Sequence, residues 1–204
     1  MRFLLFSDVH SSQGACRRLV ELSRDVDVVI GAGDFGVMRR RIDTTVDYLK
    51  EIDRPAIVVP GNAESAEELR DACRAWPSAH VLHGNGVEVN GVAFYGLGGG
   101  VPVTPFGAWS YDFPEDEAAD LLRGCPDNAV LVTHSPPYGV LDTNSSGRRC
   151  GSTAIRDTVQ RAQPRLTVCG HIHDCGGRDD VLDGLPVVNA GPDGIVWDLD
   201  SGRA

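Results

Sequence analysis

Short apolar runs that end in polar or glycine-rich loops recur along this chain and constrain its fold more than any other feature. The first three runs are Phe3–Phe6, Val26–Ile30 and Ala56–Val59, each four or five residues long. Two later runs, Ala129–Val132 and Leu166–Cys169, have the same character. Continuous apolar runs of this length predict strands that are buried on both faces, as in a parallel sheet covered by helices.

Segments with helical spacing or turn residues separate these runs. Asn90-Gly91, flanked by alternating residues, predicts a β-hairpin, and the tail after Cys175 predicts a meander of short strands. We find no internal repeat or interdomain linker, so we expect one domain over residues 1–204. Helices are predicted from Ser11 or Ser12 to about Arg24, from Ile42 to about Glu51, over Ser65 to Cys73, over Glu115 to Leu122, and from Ser152 to Ala162.

Side chains of the types that bind metals follow five of the predicted strands. Open α/β sheets place their ligands at the carboxyl ends of strands, which is where these side chains would meet. In Gly170-His171-Ile172-His173, two histidines two residues apart can direct neutral nitrogen atoms into one small volume. Such a pair suits Zn, Mn, Fe or Ni better than Ca or Mg. The complete set is Asp8, His10, Asp34, Asn62, His134, His171 and His173.

Each of these positions also has a simpler explanation when it is considered alone. Asn62 is a common type of residue for a turn or a helix N-cap, and loop histidines often contact only solvent. Seven potential ligands that follow strands in five separate parts of the chain are not expected by chance. We therefore predict a metal site at one edge of the sheet.

Two long loops and one arginine cluster are candidates for binding a substrate. The loop from Gly98 to Phe113 carries Phe106, Trp109 and Tyr111, which would either form a substrate wall or fold back onto the core. The loop from Tyr138 to Gly151 carries Asn144 and Arg148. The Arg39–Arg41 cluster would either contact an anion or be solvated at the surface.

The charge and the cysteines restrict the partners and the compartment. A net charge of −10 disfavours nonspecific binding to duplex nucleic acid or to an anionic membrane. The apolar run near the N-terminus is too short for a signal peptide or a membrane span. Six cysteines without a Cys-x-x-Cys pair indicate reduced thiols. We expect a cytoplasmic protein.

The order and context of the potential ligands resemble the calcineurin-like metallophosphoesterase superfamily, and in particular its small prokaryotic phosphodiesterase-like members. The resemblance spans nearly the whole chain. It implies an α/β (α+β) fold in which two mixed β-sheets flanked by helices form a four-layer αββα sandwich, with one metallophosphoesterase domain over residues 1–204. The matching blocks are Asp8-Val9-His10, Gly33-Asp34, Gly61-Asn62, His134 and Gly170-His171-Ile172-His173.

The resemblance also implies two divalent metal ions. Manganese is expected, with nickel, zinc, iron or magnesium as alternatives. A hydroxide bridging the two ions would attack the phosphorus of a phosphate ester. By resemblance, Asp8, His10 and His173 bind one ion, Asn62, His134 and His171 bind the other, and Asp34 bridges both.

We expect a small-molecule phosphoester as substrate, with a nucleotide as one candidate, and the sequence leaves the oligomeric state open. Asp34, Asn62 and His134 are the expected catalytic residues. The expected substrate contacts are Asn62, Asn144, Arg148 and Arg39.

The chain departs from the family pattern at Ala63, where many members have a histidine that stabilises the transition state or protonates the leaving group. Loss of a general acid costs roughly 100- to 10,000-fold in rate, which favours good leaving groups or another proton source. His80 or His83 could replace it, but both are expected at the surface. Cys175 is expected to be structural and not a ligand.

Small members without this histidine look like phosphodiesterases, so we expect that activity. The alternatives are a phosphomonoesterase acting on nucleotides or phosphoproteins, and a non-catalytic scaffold on the same fold.

Overall fold

The computed structural model describes residues 1–200 and 202–203 and contains two six-stranded β-sheets that pack face to face. The strands are β1 (Arg2–Phe6), β2 (Val28–Ala32), β3 (Ala56–Val59), β4 (Ala79–Val81), β5 (Asn85–Val89), β6 (Val92–Leu97), β7 (Val130–Thr133), β8 (Leu166–Cys169), β9 (Arg178–Leu182), β10 (Leu185–Asn189), β11 (Ile195–Asp198) and β12 (Gly202–Arg203). The α-helices are α1 (Gln13–Leu22), α2 (Ile42–Leu49), α3 (Ala66–Ala72), α4 (Glu115–Leu122) and α5 (Thr153–Ala162).

Both sheets are mixed, as predicted. In the first sheet the order is β12-β11-β1-β2-β3-β4, with β1 to β4 parallel and β11 antiparallel to β1. In the second sheet the order is β5-β6-β7-β8-β10-β9, with β6, β7, β8 and β10 parallel and an antiparallel strand at each edge. The parallel strands place their carboxyl ends at the same edge of the molecule.

Alternation of side chains along each strand produces the four layers. Phe3 and Leu5 of β1 face the second sheet, where they belong to the same buried cluster as Phe94. Leu4 and Phe6 point the other way, into the layer formed by α1 to α3. Helices α4 and α5 cover the outer face of the second sheet in a third cluster. The chain therefore forms the predicted αββα sandwich.

Three of the predicted helices begin at serine residues that cap them. Ser12 accepts a hydrogen bond from the Ala15 amide, and Ser152 accepts one from the Ile155 amide. Ser65 forms a reciprocal capping box with Glu68 at the start of α3. These contacts satisfy amide groups that have no partner within the helix.

The tail differs from the predicted meander, because its strands belong to different sheets. β9 and β10 form an antiparallel pair in the second sheet, with β10 parallel to β8. The next strand, β11, returns to the first sheet and pairs with β1. Strand β2 also begins two residues later than predicted, at Val28. The hairpin at Asn90-Gly91 is confirmed, since both residues have positive φ and join β5 to β6.

None of the helices in residues 1–200 and 202–203 has the length and apolar character needed to cross a bilayer.

Candidate metal centre

The loops that follow β1, β2, β3, β7 and β8 meet at one edge of the two sheets. Backbone hydrogen bonds join them there: the Asp8 amide donates to the Gly33 carbonyl at 2.9 Å, and the His10 amide donates to the Asp34 carbonyl at 3.0 Å. On the second sheet, the Gly170 amide donates to the His134 carbonyl at 2.9 Å. The structure therefore brings together all seven side chains that the sequence analysis predicted as ligands.

Four of the seven form one compact group around Asp8. The potential ligand atoms of Asp8, His10, Asp34 and His173 all lie within 4.8 Å of one another. His10 Nε2 is 3.1 Å from His173 Nε2, and His173 Nε2 is 3.4 Å from Asp8 Oδ1. Two imidazoles and two carboxylates at these separations could hold one metal ion.

The other three form a second group around the amide oxygen of Asn62. This oxygen lies 3.1 Å from His134 Nε2 and 3.0 Å from His171 Nδ1. Asp34 stands between the two groups: its Oδ2 is 3.5 Å from His10 Nε2, and its Oδ1 is 3.4 Å from His134 Nε2. One carboxylate thus presents an oxygen to each group, which is the arrangement that a bridging ligand requires.

Backbone carbonyls orient two of the histidines at the site. His10 Nδ1 lies 3.0 Å from the Gly36 carbonyl, and His134 Nδ1 lies 2.8 Å from the Ala32 carbonyl. Because a carbonyl only accepts, each Nδ1 donates to it, and each Nε2 is directed toward the neighbouring ligand atoms. His134 Nε2 then faces the Asn62 oxygen. Metal-bound histidines commonly donate their other N–H to such carbonyls, so this donor set fits divalent cations.

Burial and neighbouring charges favour the protonation states that bind metal at two of these residues. Burial acts to raise the pKa of Asp8, but the His173 hydrogen bond, the His134 charge and the Ser7 hydroxyl outweigh it and lower the pKa to about 2. Burial, followed by repulsion from His134, lowers the pKa of His171 to about 3. At neutral pH Asp8 is therefore ionised and His171 is neutral.

The backbone at the site is held in unusual conformations. Asp8, His10, Asp34 and His171 have φ values of 54°, 42°, 58° and 66°, in the left-handed region that non-glycine residues seldom adopt. Gly61 is required nearby, because a Cβ at this position would overlap the Asp34 carboxylate. Such strain persists only where surrounding contacts hold it in place, and it is typical of functional sites.

Glu64, which joins the loops that carry Asp34 and Asn62, is a site residue that was not predicted from the sequence. Its fully buried carboxylate accepts hydrogen bonds from the amides of Phe35 (3.2 Å), Gly36 (2.9 Å) and Gly61 (2.6 Å). Burial, followed by repulsion from Asp34, raises its pKa to about 7. The available signal was its place two residues after Asn62, where family members that carry the histidine also have an acidic residue.

Two further polar residues were also missed, and both hold ligand loops in place. Ser7 donates to Asp8 Oδ2 at 2.5 Å and accepts from the Gly191 amide at 2.9 Å. Asn189, at the end of β10, donates to the carbonyls of Gly170 (3.0 Å) and Ile172 (3.1 Å). Nothing local in the sequence marks Asn189, because its partners lie in the loop after β8.

A cleft of about 690 Å³ opens above the two groups of potential ligands. One wall comes from the loop after Gly98 and includes Phe106 and Trp109, whose rings stack at 5.8 Å with an interplanar angle of 12°. Tyr111 of the same loop instead packs edge-on against Phe113, away from the cleft. Phe106 and Trp109 therefore form a wall of the cleft, whereas Tyr111 folds back toward the core.

The predicted substrate contacts are divided between the cleft and the surface. Asn144 and Arg148 also line the cleft, and Arg148 is exposed. The Asn144 side-chain oxygen accepts from the Arg148 amide at 3.0 Å, so it shapes the turn that carries this arginine. Arg39 does not line the cleft and instead pairs with Glu68 at 2.6 Å.

Neither remaining histidine lines the cleft. His80 is exposed, as expected. The expectation for His83 was wrong, because it lies half-buried beneath the loop after Gly98, accepts the Gly98 amide at 3.2 Å and contacts the ring of Phe113. Burial lowers the pKa of His83 to about 4. Cys175 is buried, and its thiol donates to the Thr143 carbonyl at 3.5 Å.

Two packed sheets with a two-part cluster of imidazole, carboxylate and amide ligands at their common edge define the class of αββα proteins with a candidate dinuclear metal site. Comparison with known proteins identifies the family within this class. Residues 1–175 match the family described as calcineurin-like phosphoesterase, and the chain belongs to this family.

Curated relatives are longer than this chain. A UPF0046 protein of Caenorhabditis elegans is 30% identical over 174 residues, which cover 75% of this chain and 58% of the relative. Human metallophosphoesterase domain-containing protein 1 is 34% identical over 120 residues, which cover 56% of this chain and 34% of the relative. The matches thus span about a third to somewhat over half of these relatives.

Solved structures show the same fold at low sequence identity. The structure of TT1561 from Thermus thermophilus has a TM-score of 0.79 at 18% identity and covers 98% of this chain and 95% of its own. An archaeal phosphodiesterase has a TM-score of 0.58 at 13% identity, with 100% of this chain and 96% of its own covered. A dimetal phosphatase from Danio rerio has a TM-score of 0.62 at 15% identity, with 100% of this chain and 90% of its own covered. The fold therefore does not distinguish phosphodiesterases from phosphatases.

Proposed function

We propose that this protein is a phosphodiesterase that uses two divalent metal ions. The observation that carries the proposal is the position of Asp34, whose two carboxylate oxygens face two separate groups of ligands. Asp8, His10 and His173 complete one group, and Asn62, His134 and His171 complete the other. Manganese is the proposed metal, because it accepts both imidazole nitrogen and carboxylate or amide oxygen.

When bound, two such ions supply charge neutralisation at the phosphoryl group and a water of lowered pKa. The protein's own contribution is to hold the ligand atoms in fixed positions. Glu64, Ser7 and Asn189 do this through the hydrogen bonds described above. In hydrolysis, water adds its oxygen to phosphorus, the ester P–O bond breaks, and the departing alcohol takes a proton.

The environment of Ala63 favours good leaving groups, and the size of the cleft allows a diester. This residue is buried, and its amide donates to Asp34 Oδ1 at 2.8 Å. Its methyl group cannot protonate a leaving alcohol, and neither His80 nor His83 lines the cleft. A cleft of about 690 Å³ lies within the range for drug-sized ligands and has room for both organic arms of a diester.

Arg148 is the proposed contact for a substrate phosphate or a second anionic group. It lines the cleft, and among the ion pairs of the described residues it takes part in none. Its neighbour Arg149 is already paired with the buried Asp142 at 2.7 Å. A guanidinium without a carboxylate partner can bind a phosphate through two hydrogen bonds.

We also propose that the protein acts in the cytoplasm, where thiols are kept reduced. All six cysteines are free, and five of them are buried.

Hydrolysis of bis-p-nitrophenyl phosphate and of p-nitrophenyl phosphate by metal-stripped protein tests the activity. We expect manganese to restore cleavage of the diester at a higher rate than that of the monoester, and His171→Ala to lose this activity. Nickel, zinc and magnesium are added in parallel to rank the metals. Faster cleavage of the monoester would indicate a phosphomonoesterase, and failure to cleave either ester with two metals bound would contradict the proposed function.

The stacked pair Phe106 and Trp109 is proposed to bind the base of a nucleotide. Base stacking on an aromatic side chain contributes about 1–3 kcal/mol, so Phe106→Ala or Trp109→Ala should weaken inhibition by adenosine 5′-monophosphate roughly tenfold. Inhibition by ribose 5-phosphate, which lacks the base, should change less than about twofold. The measurement is the pair of inhibition constants for each variant.

The control for this comparison is Val181→Ala, which removes an exposed apolar side chain on β9 that does not line the cleft. It should leave both inhibition constants unchanged. Equal weakening of both inhibitors in the aromatic variants would show that the wall does not bind the base.

A further inference from the structure

The side-chain amide of Asn62 can take two orientations, and its surroundings decide between them. Its oxygen faces His134 and His171, while its Nδ2 donates to Ser110 Oγ at 3.0 Å. A half-turn of the amide would present N–H groups to the imidazoles and remove the oxygen ligand. A group that fixes the amide therefore controls whether the second group of ligands is complete.

Ser110 can only accept from Asn62, because its own hydrogen is already engaged. Its hydroxyl donates to Asp112 Oδ1 at 2.8 Å. The other carboxylate oxygen of Asp112 accepts from Thr104, through the amide at 2.9 Å and the hydroxyl at 2.6 Å. The carboxylate has no hydrogen to donate, so the chain of hydrogen bonds runs in one direction, from Asn62 through Ser110 to Asp112.

The same loop is also joined to the backbone of Asn62. The Tyr111 amide donates to the Asn62 carbonyl at 2.9 Å. Ser110 and Asp112 are therefore held next to this residue from two directions. Trp109, which forms part of the cleft wall, is the immediate neighbour of Ser110 in the chain.

We propose that Ser110, held by Asp112, is a positioning residue that directs the Asn62 oxygen toward the second metal position. The proposal rests on the proposed function, in which Asn62 binds metal. Without Ser110, nothing holds the Nδ2 side of the amide, and the metal-free protein can turn it so that its N–H groups face the ring nitrogens of His134 and His171. Metal binding must then reverse this turn and leave the buried Nδ2 without an acceptor.

Calorimetric titration of metal-stripped protein with manganese tests the proposal without measuring turnover. We expect Ser110→Ala to weaken one of two manganese sites by about 10- to 100-fold, the usual effect of removing a group that orients a ligand. The other site should change less than about threefold. Ser110→Thr, which keeps the hydroxyl, should bind as the wild type does, and Asp112→Asn should weaken the same site as Ser110→Ala.

Two controls separate orientation from general damage. Ser145→Ala removes a serine hydroxyl from the loop that carries Arg148, outside the residues that line the cleft, and should leave both affinities unchanged. In the Asn62→Asp background the two oxygens are equivalent, so adding Ser110→Ala should have less than about a twofold effect. Thermal unfolding of each variant reports whether it is folded. If Ser110→Ala does not fold, Asp112→Asn replaces it in the same comparison between the Asn62 and Asn62→Asp backgrounds.

The outcomes distinguish this inference from the proposed function. If the wild type binds fewer than two manganese ions, the proposed function fails. If the wild type binds two ions and folded Ser110→Ala does so with unchanged affinities, only the role of Ser110 is overturned. An equal loss of affinity in the Asn62 and Asn62→Asp backgrounds would also overturn it, because the effect would then not depend on amide orientation.

Discussion

Asp34→Asn is expected to lower phosphodiester hydrolysis by about 1,000-fold or more while the protein remains folded. Asp34 is the residue whose two oxygens face both groups of ligands, so its charge is shared between the two proposed metal positions. The electrostatic contribution of such ions to a transition state is several kcal/mol, and each 1.36 kcal/mol corresponds to a factor of ten in rate. Replacing one of the two carboxylate oxygens and removing the negative charge should therefore remove most of the rate enhancement.

The variant is expected to fold because asparagine has the same size and can still accept the hydrogen bond from the Ala63 amide, which Asp34 Oδ1 accepts at 2.8 Å. Manganese titration should show that at least one of the two ions is lost or strongly weakened. Activity and metal content are measured on the same preparation. The matched control is Asp127→Asn, which removes an exposed carboxylate just before β7, at the opposite end of the strands. Wild-type activity in Asp34→Asn would contradict the bridging role.

Glu64→Ala is expected to destabilise the fold by about 3 kcal/mol, because it leaves three buried backbone amides without an acceptor. Each such group costs about 1–3 kcal/mol, and removal of a buried carboxylate that is costly to ionise offsets part of the total. For a domain of this size, the melting temperature should fall by roughly 6–12 °C. Because Glu64 joins the loops that follow β2 and β3, the loss should also weaken metal binding.

Denaturant and thermal unfolding of metal-free protein measure this effect separately from metal binding. Glu64→Gln retains one acceptor oxygen and should lose about 1 kcal/mol. Glu88→Ala, at an exposed position on β5, is the control and should remain within about 0.5 kcal/mol of the wild type. If the melting temperature of Glu64→Ala equals that of the wild type, then the three hydrogen bonds do not stabilise the fold.

Much of the fold and of the candidate site was predictable because the signals are local. A short apolar run identifies a buried strand, and the residue types directly after it identify the strand end, as at Asp8 and His134. Five such ends in one chain, together with the family resemblance, predicted the ligand set and the four-layer sandwich. Helix starts at Ser12, Ser65 and Ser152 were predictable for the same reason, since each serine accepts from an amide in the first turn of its own helix.

Features that depend on pairing between distant segments were not predictable in this way. The division of the tail between two sheets depends on whether β11 pairs with β1 or with β10. The local pattern of apolar and polar residues is the same in either case. His83 is half-buried because the loop after Gly98 folds over it. Arg39 was a reasonable anion contact in the sequence, but Glu68 lies close enough to pair with it.

The sequence by itself determined the five strands that lead into the site and the seven potential ligands that follow them, because these depend on residue types a few positions apart. Only the tertiary structure decided how those ligands are held: by Glu64, which links two loops, and by Ser110 and Asp112, which orient Asn62. The physical reason is that the direction of a hydrogen bond depends on where both partners lie in space. Asn62 and Ser110 are 48 residues apart in the chain. They come within hydrogen-bond distance only after the sheets have packed and the loop after Gly98 has folded over Asn62.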